Sequence, residues 1–86
     1  MATKKDLINA VKDKLGYLDE KDTTLAVNCI FDYIKEELVA GNRIELRGFG
    51  SISVRKRKYI NKDEEYNTVY YRMSKKIQST LNAKLL

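Results

Sequence analysis

The 86-residue chain has no proline, no histidine and one cysteine, and each scarcity removes a class of function. Without histidine it lacks the commonest general base and the commonest metal ligand. The lone Cys29 cannot close an intrachain disulfide, which fits a reducing compartment, and it leaves no cluster for zinc. No apolar run approaches the roughly 20 residues that span a bilayer, and the N-terminus carries no signal-peptide stretch. Neither a phosphate-cradling glycine loop nor a nucleophile with its base is present, so no enzyme, cofactor, metal site or small-molecule substrate is expected. A cytoplasmic, non-membrane protein is.

What is present is an uneven charge. The net charge is +5, but residues 1–41 hold six Lys against eight Asp or Glu, a net of −2, while residues 42–86 hold eleven Lys or Arg against four, a net of +7. A strongly basic half is the footprint of an anion-binding face, with nucleic-acid phosphate the leading target. A chain this short also buries a small fraction of its surface, so a core shared with a second copy is expected.

Apolar periodicity divides the chain. Thr3 and Asp6 form a capping-box pattern before a helix over about 3–15, which Gly16 ends. Asp19 caps a longer helix whose stripe is Leu25, Ala26, Cys29, Ile30, Tyr33, Ile34 and Leu38, with Gly41 as its stop. On this reading Cys29 is a small buried hydrophobe and Tyr33 a core residue. Val27 and Phe31 widen the stripe beyond what one small partner covers and predict a second subunit. From Arg43 the period becomes two: Ile44 and Leu46, then Ile52 and Val54, alternate with polar residues, and Gly48 and Gly50 bracket a sharp turn at Phe49. A third strand over about 66–72 follows a polar turn at 61–64. Ser74 caps a last helix with Ile77, Leu81 and Leu85 four residues apart. The order is α-α-β-β-β-α, an α+β fold.

Strand parity puts Ser51, Ser53, Arg55 and Arg57 opposite Ile52 and Val54, and Thr68, Tyr70 and Arg72 opposite Val69 and Tyr71. Paired, the two strands make a ribbon with one apolar and one cationic face. Its cationic run is Arg55-Lys56-Arg57-Lys58. Ser74, Lys75 and Lys76 open the last helix, and Thr3, Lys4 and Lys5 open the first, where free N–H groups and the helix dipole favour a phosphate. Asp63, Glu64 and Glu65 form a solvated acidic turn.

With Gly41, Glu45-Leu46, Arg47-Gly48-Phe49-Gly50-Ser51, Val54-Arg55 and the Lys4-Lys5-Asp6-Leu7-Ile8 start in this order, the chain resembles the bacterial HU/IHF family of architectural DNA-binding proteins over nearly its whole length. The resemblance implies one domain over 1–86 that folds as an intertwined dimer, homodimeric or heterodimeric: a helical base (about 3–40), a β-saddle and arm (about 43–72) and a C-terminal helix (about 74–85). It implies nucleoid-associated binding of double-stranded DNA with little sequence preference, through phosphates and the minor groove. Arg47, Ser51, Arg55 and Arg57 fall on the saddle and arm root, Arg72 beside the saddle, Ser74, Lys75 and Lys76 at phosphates, and Lys4 and Lys5 at flanking DNA; Lys56 and Lys58 complete the basic run. Tyr71 matches the family's buried aromatic. Only 16 residues separate Val54 from Tyr71, fewer than in the usual arm, and the family's Asn-Pro tip is missing. Tyr59 or Ile60 is the candidate replacement wedge, with packing across the hairpin the alternative for each. The shortened, acidic tip also admits another reading, a dimeric module of the same fold that docks an acidic protein.

Overall fold

The computed structural model describes the backbone of residues 1–85 and the side chains of residues 1–84. Its element order is α1 (Lys4–Lys14), α2 (Glu20–Val39), β1 (Ile44–Leu46), β2 (Gly50–Lys58), β3 (Glu65–Met73) and α3 (Lys75–Leu85), the α+β order that the periodicity predicts. Contacts cluster into two compact units, Met1–Lys35 and Glu36–Leu86.

In the first unit the capping box at α1 is complete. The Thr3 hydroxyl accepts from the Asp6 N–H at 3.2 Å, and the Asp6 carboxylate accepts from the Thr3 N–H at 2.9 Å, so two otherwise unpaired donors are satisfied. The helix ends at Leu15, whose N–H reaches the Val11 carbonyl at 2.8 Å. Gly16 does not take the positive φ of a left-handed stop. Asp19 caps α2 by accepting from the Asp22 N–H at 2.7 Å.

The interior of this unit corrects the predicted α2 stripe. Ile8, Thr23 and Val27 are its buried side chains, Val27 being 4% exposed. Thr23 tolerates burial because its hydroxyl donates to the Asp19 carbonyl at 2.7 Å. Leu25 and Tyr33, by contrast, are 63% and 59% exposed, and Ile30 and Cys29 are exposed with them. Cys29 and Tyr33 are therefore not core residues of the single chain, and Val27 is. The apolar surface of α2 is too wide for one chain to cover, as the width of the stripe implies, but a different part of it is left over. Phe31 stays exposed as expected.

In the second unit α2 stops on Gly41 at φ 82°. The Gly41 N–H bonds the Leu38 carbonyl at 3.0 Å and the Asn42 N–H bonds the Glu37 carbonyl at 2.9 Å, the paired bonds of a Schellman ending. The three strands form an antiparallel meander in the order β1-β2-β3. Ile44 is buried, Ile52 and Val54 are half-buried, and Val69 is exposed. Tyr71 is also partly exposed rather than buried, its ring tilted against Phe49 at 5.3 Å between centroids and its hydroxyl donating to the Phe49 carbonyl at 2.7 Å.

Ser74 ties α3 to the sheet turn. Its hydroxyl donates to the Gly48 carbonyl at 2.9 Å and accepts from the Ile77 N–H at 3.3 Å, while its N–H donates to the Phe49 carbonyl at 3.0 Å. Of the predicted α3 stripe, Ile77 is half-buried, Leu81 is exposed, and the Leu85 side chain lies outside the described residues. Removing both side-chain bonds in Ser74→Ala should cost about 1.5 kcal/mol. At about 4–8 °C per kcal/mol for a domain of this size, a circular-dichroism melt should shift down by about 6–12 °C.

Candidate nucleic-acid interface

The β2–β3 register fixes which side chains share a face. Ser51 pairs with Arg72, Ser53 with Tyr70, Arg55 with Thr68 and Arg57 with Tyr66. Directly opposed residues project to the same side of a sheet, so these eight form one polar and cationic face. Ile52 with Tyr71 and Val54 with Val69 form the other. Lys56, paired with Asn67, and Lys58, paired with Glu65, lie on that second face. The run of four cations is thus split two and two, as strand alternation requires.

Arg55 is held over the Tyr70 ring, its guanidinium carbon 3.6 Å from the centroid. Among the described residues the one ion pair is Lys12 with Glu20 at 4.0 Å, too exposed and long to stabilise much. The ribbon cations are not spent on neighbouring carboxylates.

At the ribbon's base the same face continues into a cleft of about 630 Å³. Arg47, Ser51, Arg72, Ser74 and Lys75, all predicted site residues, line it. Two charged lining residues were not among the predicted site residues: Arg43 and Glu45. Glu45 pairs with Ser51, so the parity that selected Ser51 also selects Glu45 and its neighbour-but-one Arg43. Lys76 sits beside an adjoining depression with Arg47, Phe49 and Ile77. The first turn of α3 carries no acidic residue, so apart from the Ile77 N–H that Ser74 caps, its free N–H groups and positive dipole end face no carboxylate.

Lys4 and Lys5 open α1 in the other compact unit. At the arm tip, Tyr59 packs across the hairpin on Tyr66, with ring centroids 4.7 Å apart, and Lys62 lies 5.9 Å from the Tyr59 centroid. Ile60 makes no such packing and is fully open, at 98% exposure. Fixed cations, hydroxyls and helix N–H groups on one surface can hold phosphate oxygens. No helix among the described residues is long and apolar enough to cross a membrane.

The chain is similar in sequence and in fold to known proteins. Residues 2–82 match the family described as Bacterial DNA-binding protein. The HU-like DNA-binding protein of Rickettsia prowazekii is 49% identical over 77 residues, covering 90% of this chain and 96% of the relative. A solved point variant of HU from Thermotoga maritima superposes with a TM-score of 0.76 at 31% identity, over 93% of this chain and 99% of that one. Anabaena HU, solved with DNA, superposes at 0.71 over 93% and 97%, its 19% identity showing likeness of fold alone. With a family match over residues 2–82 and a relative 49% identical over 90% of its length, the chain belongs to the bacterial DNA-binding protein family of HU.

Proposed function

We propose that two copies of this chain form an architectural, non-enzymatic clamp on double-stranded DNA, acting in the nucleoid of a bacterial cytoplasm with little sequence preference. The observation that carries the reading is the ribbon face on which the register aligns Ser51, Ser53, Arg55, Arg57 and Arg72. Arg, Ser and helix N–H contacts hold phosphates and position a protein without reading bases. In this reading Arg47, Ser74, Lys75 and Lys76 grip the backbone at the saddle, and Lys4 and Lys5 hold flanking DNA. Lys56 and Lys58 face the opposite groove wall. Ile60 is the better candidate wedge, because Tyr59 is engaged with Tyr66.

The dimer is supported by the exposed Leu25, Ile30 and Tyr33 on α2 and Phe49 in the turn, apolar surface that a single copy leaves in water. One domain, 1–86, would then be completed by its partner.

The test is fluorescence anisotropy with a labelled duplex across a salt series. A dimer that neutralises about six to ten phosphates should lose roughly a thousandfold or more in affinity between 50 and 200 mM salt. Absence of binding at the lower salt would overturn the proposal and direct the search to an acidic protein.

A further inference from the structure

The cationic ribbon face carries aromatic rings that gripping a duplex does not use. Tyr66 and Tyr70 share it with Arg55 and Arg57, and remain 39% and 36% exposed. Each ring has one partner already and leaves its remaining surface to solvent: Tyr59 packs on Tyr66 at 4.7 Å between centroids, with Arg57 directly opposite, and the Arg55 guanidinium lies over the Tyr70 ring, 3.6 Å from its centroid. The contrast with Tyr71, the next residue after Tyr70, is informative. Tyr71 points to the other face, packs on Phe49 and donates to its carbonyl, so the fold accounts for it. Among the described residues the hydroxyls of Tyr66 and Tyr70 donate to no protein acceptor, and Tyr70 has no aromatic partner.

A duplex stacks its bases on one another and presents only their edges and its backbone. An exposed ring next to a cation gains most from a base whose face is free and whose phosphate lies alongside, as in single-stranded binding surfaces. The two rings stand four residues apart on β3, about 13 Å at roughly 3.3 Å per residue, so they engage separate bases.

We infer that Tyr66 with Arg57 and Tyr70 with Arg55 form a two-ring stacking platform for unpaired bases of a single-stranded nucleic acid. The inference shares with the proposed function the cationic character of this face, but it adds a different ligand. DNA and RNA strands offer the same chemistry to a ring and a guanidinium, so both are tried.

The chain has six tyrosines and no tryptophan, so tyrosine emission reports stacking directly. Oligothymidylate and oligouridylate, which do not self-pair, are titrated against the full-length protein, with the duplex in parallel. Expected are quenched tyrosine emission with at least one oligomer and an affinity loss of about tenfold per ring removed, about a hundredfold in Tyr66→Leu/Tyr70→Leu. Duplex affinity, which gains nothing from stacking on a free base face, should fall at least about tenfold less than oligomer affinity in the same variant. Tyr66→Phe/Tyr70→Phe, which keeps the rings, should keep oligomer affinity. Unquenched emission, or a phenylalanine variant as weak as the leucine one, would overturn the platform. If the double leucine variant fails to fold by circular dichroism, the single Tyr70→Leu and the wild-type quenching decide. Lost oligomer binding with an intact duplex interaction in the wild type refutes this inference alone, whereas a lost duplex interaction refutes the proposed function.

Discussion

Gly50→Ala should be the most damaging single-methyl substitution among the turn glycines. Gly50 has φ 148° and pairs on both sides, with Leu46 of β1 and Met73 of β3. A Cβ there would collide with the backbone carbonyl oxygen of Arg72 and stand 2.7 Å from Cε1 of Tyr71. The first obstacle is main chain inside a paired ladder and cannot swing away. Positive-φ strain adds about 1–2 kcal/mol and overpacking about 1–3. Together they reach roughly 2–5 kcal/mol, a large share of the 5–15 that a domain has to lose. A circular-dichroism melt should fall by about 10 °C or more, or the variant should not fold. Gly41 and Gly48 provide the control. Both have φ 82°, yet nothing lies within 4 Å of a Cβ at either, so alanine there should cost about 1 kcal/mol. Three equal melts would show that backbone strain, not the close approach to Arg72, makes Gly50 glycine.

The elements whose signals are local were legible in the sequence. Thr3 with Asp6, Asp19, Gly41 and Ser74 each act within a few residues of themselves, and each performs the cap or stop that its position announces. Strand parity carried as far: it placed Arg55 and Arg57 on one face with Ser51 and Arg72 because alternation is a covalent property of extended backbone. The misreadings arose where tertiary competition decides. The stripe of α2 is apolar on more sides than one chain can cover, and periodicity does not say which side wins. Thr23 and Val27 are inside while Leu25, Cys29 and Tyr33 are outside. Arg43 was placed at the start of the first strand but not assigned to the interface, although its parity with Glu45 and Ser51 was available. For Tyr59 the sequence left two roles open, a wedge at the tip or packing across the hairpin, and its ring on Tyr66 takes the second, a choice made by hairpin geometry that the turn residues did not specify.

Arg55→Ala/Arg57→Ala should lower both duplex affinity and its dependence on salt, and the second effect discriminates better. Each phosphate contact contributes about 0.9 to the slope of log affinity against log salt. A dimer presents both arginines twice, so removing four contacts should flatten the slope by about 3 to 4. Affinity at 50 mM salt should fall roughly a hundredfold or more on the same basis. The control is Lys56→Ala/Lys58→Ala, which removes identical charge from the adjacent positions on the opposite ribbon face. If the register determines the contact surface, the lysine pair should flatten the slope by about half as much or less. Equal slopes would mean that the duplex senses the arm's net charge, with neither face preferred. Arg55 also covers Tyr70, a contact worth about 0.5–1 kcal/mol at an exposed site. The arginine variant should therefore melt a few degrees lower, and both variants need to be titrated well below that temperature. A slope unchanged by the arginine substitutions would take the ribbon out of the interface and leave the saddle cleft, with Arg47, Arg72 and Lys75, as the site of phosphate binding.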